Sequence, residues 1–195
     1  MAEPSAKHWT IDDLDALPEY DPRGWRIRYE IIAGELFVST APGDDHQYTC
    51  AQITTHLGSW NNATQLGEVL IEPGVLFSKD DAVQPDVIFI SHERLARFEE
   101  ADRHLHGAPE LVVEVLSPGA ANRRRDLERK LRLYSERDVL EYWAADPRLA
   151  TVRVYRPGST GKLDLVATLG RDDTLTSPIL PGFSAAVARL FRPAR

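Results

Sequence analysis

Several features that would narrow the class of this protein are missing from its sequence. The chain of 195 residues has one cysteine, Cys50, so no disulfide can form within it, and we expect Cys50 to be a small core residue. No apolar run approaches the length of a membrane-spanning helix, and the first residues lack the basic-then-apolar pattern of a signal peptide. The histidines other than His46 show no spacing typical of zinc ligands. These absences favour a cytoplasmic protein that does not enter a membrane.

An overall positive charge is also missing. The formal net charge is −7, and this overall negative charge argues against nucleic acid as a partner. Positive charge is concentrated locally in one predicted helix, in Arg123, Arg124, Arg125, Arg129, Lys130, Arg132 and Arg137. Such a basic face suits phosphate contacts, and we predict that Arg123, Arg124 and Arg125 bind DNA. The alternative is a solvated helix whose charges pair four residues apart.

The composition is that of an ordinary globular protein, with 43% hydrophobic and 27% charged residues. The length favours one domain over residues 1–195, with residues 1–9 as a flexible N-terminus. A tight hairpin is predicted around Ala33 and Gly34, and a long helix capped by Asp44 or Asp45. We predict an α/β fold: a mixed sheet flanked by helices, with an additional N-terminal hairpin, C-terminal antiparallel strands and a closing helix over residues 184–191.

Two carboxylates in apolar runs are the most informative feature that is present. Asp86 precedes the run Val87–Ile90, and Glu114 lies inside the run Leu111–Leu116. Both runs are short, β-branched and typical of buried strands, where an unpaired ionised carboxylate costs several kcal/mol, on the order of a third of a domain's stability. A shared divalent cation would neutralise both. The alternatives are a turn that ends at Asp86 and a half-exposed edge strand that carries Glu114.

Other polar residues could complete such a site. Lys130 follows on the next predicted helix, and two acids with a lysine on a strand–strand–helix frame suit metal-assisted attack on a phosphodiester. Glu30 and Glu35 lie on the hairpin, where one of them could face the site as an extra acid. His46 begins the long helix and could contact a phosphate or orient a carboxylate. For each of these three, an exposed surface position is the alternative.

A series of motifs resembles the Uma-type family of proposed restriction endonucleases. They are Tyr29–Leu36, His46 with Gln47, Gln84–Val87, Ala108–Pro118, Asp126 with Lys130, Leu131 and Tyr134, Val139–Trp143, and Asp146 with Pro147. That family is placed in the PD-(D/E)XK nuclease superfamily. The resemblance therefore implies a restriction-endonuclease-like fold and an active site of Asp86, Glu114 and Lys130. It also implies a Mg²⁺ or Mn²⁺ ion held by Asp86, Glu114 and the Val115 backbone carbonyl.

The expected function is that of a metal-dependent endodeoxyribonuclease with DNA as its partner. A symmetric homodimer is expected because cutting both strands needs two sites. The superfamily pattern places its lysine two residues after the second acid, where this chain has Leu116, whereas Lys130 matches the Uma-type position on the following helix. A catalytically silent member of the fold that binds nucleic acid or protein is the alternative. A hydrolase of small phosphoesters is a third class, which would leave the basic helix without a purpose.

Overall fold

Helices and strands alternate along the chain in a computed structural model that describes residues 7–98, 102 and 104–193. The helical segments are a 3₁₀ helix (Ile11–Ala16), α1 (Asp44–Thr64), α2 (His92–Phe98), α3 (Ala120–Arg124), a π-helical turn (Arg125–Lys130), α4 (Leu131–Glu136) and a second 3₁₀ helix (Val187–Arg189). The strands are β1 (Arg28–Ile32), β2 (Glu35–Ser39), β3 (Gly67–Ile71), β4 (Val75–Ser78), β5 (Asp81–Val83), β6 (Val87–Ser91), β7 (Leu111–Val115), β8 (Glu141–Asp146), β9 (Thr151–Pro157), β10 (Leu163–Leu169), β11 (Thr174–Thr176) and β12 (Ser184–Ala186).

A mixed sheet with the order β10-β9-β8-β7-β6-β3 forms the centre of the described chain. Strands β7 and β8 are parallel, and the other neighbours in the sheet are antiparallel. A parallel pair needs a long crossover, and the helical segments from α3 to α4 supply it between β7 and β8. The crossover therefore carries its buried side chains back onto the two strands that it joins.

Both faces of this sheet are covered, which explains the near-continuous apolar runs of its strands. Along β6, Val87 and Phe89 pack with α1 and the C-terminal segment, whereas Ile88 and Ile90 pack with α4 and a second sheet. The alternation follows from the twofold side-chain period of a strand. The apolar runs thus form the buried strands that the sequence predicts.

The second sheet is antiparallel, with the order β2-β1-β5-β4. Its hairpin turns at Ala33 and Gly34, which have φ angles of 51° and 73°. Positive φ at both central residues gives the type I′ geometry that matches the twist of the paired strands. The predicted hairpin is present, whereas β5 and the separation of β4 from β3 into another sheet were not predicted from the sequence.

A π-helical turn interrupts the helical crossover, where the sequence predicts one regular helix from about Asn122 to Ser135. The turn joins α3 to α4 without a break in the chain and buries Asp126 and Lys130. A π turn widens the helix by about one residue per turn, and such turns are frequent at functional sites. Both charged side chains consequently lie on the face that meets the sheet.

Two predictions about the ends of elements need correction. The predicted closing helix over residues 184–191 is wrong, because Ser184–Ala186 pairs with Thr174–Thr176 as a strand and a single 3₁₀ turn follows. Helix α1 begins after Gly43, so Asp44 and Asp45 lie in its first turn. Of the predicted flexible N-terminus, residues 1–6 lie outside the described residues, and Trp9 donates its backbone N–H to Gly34 O at 2.9 Å. Among the described helices, none is long and apolar enough to cross a membrane.

We expect substitution by alanine to change the stability in opposite directions at two glycines that each follow a leucine. At Gly67 in β3 a Cβ atom would overlap the carbonyl oxygen of Ile90, whereas at Gly58 in α1 nothing lies within 4 Å. We expect Gly67→Ala to lower the free energy of unfolding by about 1–3 kcal/mol through overpacking. Gly58→Ala should raise it by about 0.5–1 kcal/mol through helix propensity. Urea denaturation of the two variants measures both values, and equal effects would contradict the placement of β3 against β6.

Candidate active site

A cleft of about 350 Å³ opens where β6 and β7 meet the start of α1. Polar side chains from five different segments converge on it, namely Arg28, His46, Asp86, Glu114 and Arg125. The loop after β2 and the turn after β7 close its remaining sides. The cleft is therefore assembled from both sheets, α1 and the helical crossover.

Asp86 and Glu114 come together because β6 and β7 pair in an antiparallel register. Val87 lies opposite Val113, so the residues one step further, Asp86 and Glu114, face each other at the end of the pair. The Asp86 carboxylate accepts a hydrogen bond from Val115 N at 2.7 Å, in the place where the next rung of the ladder would lie. Both carboxylates are about 2% exposed, and both line the cleft.

Lys130 reaches the same carboxylates from the π-helical turn. Its ammonium lies 2.8 Å from Glu114 Oε1 and 2.7 Å from Glu30 Oε1, and its side chain is fully buried. Tyr134, one turn further along, donates its hydroxyl to the same Glu114 oxygen at 2.7 Å. The Lys130 ammonium therefore bridges β1, β7 and the crossover, directly behind Glu114 as seen from the cleft.

The cationic neighbours of Asp86 keep it ionised. Burial disfavours its charge, yet the hydrogen bond and charge of His46, followed by the charges of Arg28 and Lys130, hold the pKa of Asp86 well below its usual range. His46 Nε2 lies 3.2 Å from Asp86 Oδ2, and Arg28 Nη1 lies 3.1 Å from Oδ1. Asp86 is thus an ionised carboxylate that lines the cleft.

Glu114 has the opposite character. Burial raises the pKa of Glu114 to about 8, although the charge of Lys130 opposes this shift. The carboxylates of Asp86, Asp126 and Glu30 raise it further. Two carboxyl groups that face each other therefore have pKa values moved in opposite directions, a pattern that is common where a site performs chemistry.

Lys130 stays protonated in this surrounding. Burial opposes its charge, but the carboxylates of Glu114 and Glu30 raise the pKa of Lys130 above its ordinary value. An ammonium group has three N–H donors, and acceptors among the described residues are present for two of them. Lys130 is therefore an electrostatic stabiliser and a hydrogen-bond donor at neutral pH, rather than a general base.

Carboxyl groups outnumber lysine and arginine side chains in the network around the cleft. Five carboxylates of the described chain contact three cationic side chains, in the pairs Glu30–Lys130, Glu114–Lys130, Asp126–Arg125, Asp86–Arg28 and Glu72–Arg28. In addition, no described residue donates a hydrogen bond to the buried Glu30 Oε2, and Arg125 Nε lies 3.9 Å from this oxygen. A buried carboxylate oxygen without a donor costs free energy, so this network is not optimised for stability alone.

The other predicted site residues divide into two groups. Glu30 and His46 belong to the network, whereas Glu35 lies on the surface, 56% exposed, 3.3 Å from Arg129. Arg125 lines the cleft and pairs with Asp126 at 2.8 Å. The structure does not bring Arg123 or Arg124 into the cleft lining.

Those two arginines are held by other acids. Arg123 binds Asp146 at 2.6 Å, and Arg124 binds Glu128 at 3.2 Å on the exposed surface of the crossover. The pairing four residues apart is the alternative that the sequence left open for this helix, and Arg124 follows it. DNA binding by Arg123, Arg124 and Arg125 stays a prediction.

Sequence reasoning missed three residues of this network. Arg28 lies two residues before Glu30 on β1, so the strand period places both on one face. Asp126 and Tyr134 lie four residues before and after Lys130, which is the spacing of one helical face. Charge alternation on the strand and polar spacing on the helix were the signals that could have identified them.

One further buried carboxylate provides a contrast. Glu141 on β8 accepts hydrogen bonds from Arg156 Nε at 2.9 Å and from Ser177 Oγ at 3.0 Å, and Trp143 Nε1 also donates to it. Its side chain is fully buried and does not line the cleft. Glu141 is therefore a satisfied structural acid, unlike Glu30 and Glu114.

Comparisons with known proteins agree with this architecture. The chain is similar to a solved structure described as a putative nuclease belonging to DUF820 from Anabaena variabilis ATCC 29413, with a TM-score of 0.71 and 19% sequence identity. The match covers 93% of this chain and 96% of that one. At this identity the likeness shows the fold, and it confirms the predicted mixed α/β architecture. A comparison with curated proteins finds no match.

The sequence itself matches one family model. The model is described as "Uma2: Putative restriction endonuclease", and the match runs over residues 11–188. This range contains the hairpin, both strands that carry the facing carboxylates, and the whole helical crossover. Because the match spans most of its length, the chain belongs to the Uma2 family, which is the family that the motifs in its sequence resemble.

Proposed function

We propose that this protein is a metal-dependent endodeoxyribonuclease, with Asp86, Glu114 and Lys130 as its catalytic residues. The observation that carries the proposal is the pair of facing, buried carboxyl groups of Asp86 and Glu114, which both line the cleft. The pKa of Glu114 is raised because the charge of Lys130 does not offset the burial of Glu114 and the neighbouring acids. A divalent cation would stabilise the ionised form of Glu114 beside Asp86, and Mg²⁺ or Mn²⁺ prefers such oxygen ligands.

The hydrogen bonds leave room for a cation on both facing carboxylates. Each carboxylate oxygen has two lone pairs. Among the described residues, Asp86 Oδ1 accepts from Arg28 alone, and no donor bonds to Glu114 Oε2. Asp86 and Glu114, with the Val115 carbonyl as the resemblance implies, would hold the ion. When bound, it would lower the pKa of a coordinated water and stabilise charge on the phosphate.

The residues of the chain would then divide the remaining work. Lys130 does not line the cleft, so it would fix Glu114 through Oε1 and stabilise the negative charge at the reacting phosphate through its positive charge. Arg28 and Arg125 line the cleft and present guanidinium groups of the geometry that phosphate prefers. Tyr134 prevents rotation of the Glu114 carboxylate. These groups orient the substrate without a proton transfer by any of the three cations.

DNA is the proposed substrate, and cleavage of both strands would use a symmetric homodimer. The alternative is a catalytically silent member of the fold that binds nucleic acid or protein. The observation that favours this alternative is the number of donors already bound to Asp86, which accepts hydrogen bonds from Arg28 and from Val115 N and contacts His46. Activity measurements decide between the two.

The first prediction concerns cleavage. Purified protein with Mg²⁺ or Mn²⁺ should nick or cut plasmid DNA, and EDTA should abolish this activity. Glu114→Gln should lower the rate by about 10³-fold or more, because glutamine keeps the shape and loses the charge that holds the ion. Gel analysis of supercoiled DNA measures the rates.

Glu68→Gln is the matched control, since Glu68 is exposed on β3 and far from the cleft lining. It should retain the wild-type rate. Equal DNA binding by wild type and Glu114→Gln, without cleavage under either metal, would decide for the silent alternative.

The second prediction concerns stability without metal. The pKa of Glu114 is about 8 in the folded protein and near 4.5 in the unfolded chain, so the folded state binds more protons between these values. The stability of the wild type should therefore fall as the pH rises from about 4.5 to 8. Glutamine cannot ionise and still accepts from Lys130 and Tyr134. In EDTA, Glu114→Gln should become more stable than wild type by roughly 1–3 kcal/mol at pH 8.

Thermal unfolding at pH 5 and pH 8 measures this difference. Glu68→Gln should differ from wild type by less than about 0.5 kcal/mol at both pH values. If Glu114→Gln is less stable than wild type at pH 8, the ion pair of Glu114 with Lys130 stabilises the fold. Glu114 would then be a structural acid, as Glu141 is in its pair with Arg156.

A further inference from the structure

A second set of metal-ligating side chains lies beside the proposed hard-cation site. His46 and Cys50 are four residues apart on α1, which places them on one helical face next to Asp86. His46 Nδ1 lies 3.5 Å from Cys50 Sγ, and His46 Nε2 lies 3.2 Å from Asp86 Oδ2. One ligand atom from each of the three residues lies within 4.8 Å of the others, and all three side chains are buried.

We propose that His46, Cys50 and Asp86 form a binding site for a thiophilic divalent ion of the Zn²⁺ type, which excludes the hard cation from Asp86. The set offers one nitrogen, one sulfur and one carboxylate oxygen, which are the ligands of zinc and not those of magnesium. Around a tetrahedral zinc, neighbouring ligand atoms are about 3.3–3.8 Å apart. The two short contacts of His46 use different ring nitrogens, Nδ1 toward Cys50 and Nε2 toward Asp86, so binding through one nitrogen requires the imidazole ring to turn and the ligand atoms to move closer than their present limit of 4.8 Å.

Access and coordination number also suit this ion. His46 and Asp86 line the cleft, so an ion and a fourth, water ligand can enter from that side. Three protein ligands and one water are the usual set of an accessible zinc site. On binding, the Cys50 thiol releases its proton to solvent through the cleft, and the ion replaces the contact between His46 and Asp86.

The same three residues also have the order of a cysteine–histidine–acid triad, but a nucleophilic thiol does not fit the surroundings. Cys50 is 8% exposed and does not line the cleft. Burial, together with the charges of Asp86 and Glu114, raises the pKa of Cys50 far above its ordinary value. Reactive cysteines require the opposite environment, with a lowered pKa and access to substrate.

Asp86 belongs to both sets of ligands, so the two kinds of ion compete for the same carboxylate. A soft ion bound by His46 and Cys50 occupies the carboxylate that the hard cation requires. Zinc binds nitrogen and sulfur ligands far more tightly than magnesium does, so a small amount of zinc displaces the hard ion. This step rests on the proposed function, because inhibition presupposes a metal-dependent cleavage to inhibit.

Cobalt provides a test that is independent of activity. Cys50 is the single cysteine of the chain, so a thiolate-to-cobalt charge-transfer band in the near ultraviolet can arise only from this residue. EDTA-stripped, full-length protein titrated with Co²⁺ should develop this band together with intense tetrahedral d–d absorption, and Zn²⁺ should remove both. Cys50→Ser should lack the band and bind Zn²⁺ at least about tenfold more weakly in calorimetry.

Control variants keep the result interpretable. Cys50→Ala provides a second replacement if serine perturbs folding, which circular dichroism and thermal unfolding report. Thr55→Ser, on the exposed side of α1, should keep the cobalt band. Absence of the band in the wild type at saturating Co²⁺, or equal Zn²⁺ affinity in wild type and Cys50→Ser, would overturn the proposal.

The inhibition is then measured as the fraction of its own Mg²⁺-dependent cleavage that each protein loses on addition of Zn²⁺. The wild type should lose most of its activity at Zn²⁺ concentrations at least about tenfold lower than Cys50→Ser requires. If the protein shows the cobalt band but cleaves no DNA, the proposed ion site stands and the proposed nuclease function is wrong. Cleavage without a cobalt band would refute the thiophilic site alone.

Discussion

The bridge from Lys130 to Glu30 and Glu114 is the interaction on which the arrangement of this molecule depends. Glu30 comes from the second sheet, Glu114 from the central sheet and Lys130 from the π-helical turn. A single buried ammonium therefore joins three layers. Removal of Lys130 would leave buried carboxylates without their cation, which costs about 3–5 kcal/mol. The bridge fixes the register of the crossover against both sheets.

Glu141 shows that this fold can bury an acid and satisfy its hydrogen bonds. Its oxygens accept hydrogen bonds from Arg156, Ser177 and Trp143, so donors are present on both sides of the carboxylate. Glu30 instead has an oxygen that accepts no hydrogen bond from the described residues, and the pKa of Glu114 is raised to about 8. The hydrogen bonds of Glu141 are thus complete, whereas those of the acids near the cleft are not.

The elements of the fold that could be predicted are those with a clear local pattern in the sequence. We could recognise the turn at Ala33 and Gly34 because glycine favours the backbone conformation of a tight hairpin. We could recognise β6 and β7 because short, β-branched apolar runs are typical of buried strands. The alanine-rich C-terminal segment favours a helix by propensity, but Ala185 is buried between the exposed Ser184 and Ala186, and these three residues pair with β11 as a strand. Tertiary pairing prevailed over propensity.

The site was predictable where an acid interrupted an apolar strand. Glu114 could be found in that way and Asp86 from its place at the start of an apolar run, whereas Lys130 was suggested by its place on the next helix and by the family resemblance. Glu35 could not be separated from Glu30 by sequence, because both lie on one hairpin and only the packing of the second sheet decides which is buried. The role of Arg28 depends on a contact 58 residues along the chain, which no local pattern contains.

The π-helical turn has a consequence for how this chain tolerates change in length. A π turn holds one residue more than a regular turn, so its conversion to α-helix would rotate α4 by about 100° relative to α3. Lys130 and Tyr134 would then leave the central sheet together, whereas Asp126 would stay near its present place. The crossover therefore holds one residue more than a regular helix would, and deletion of one residue there would move the side chains that face the sheet rather than shorten a loop.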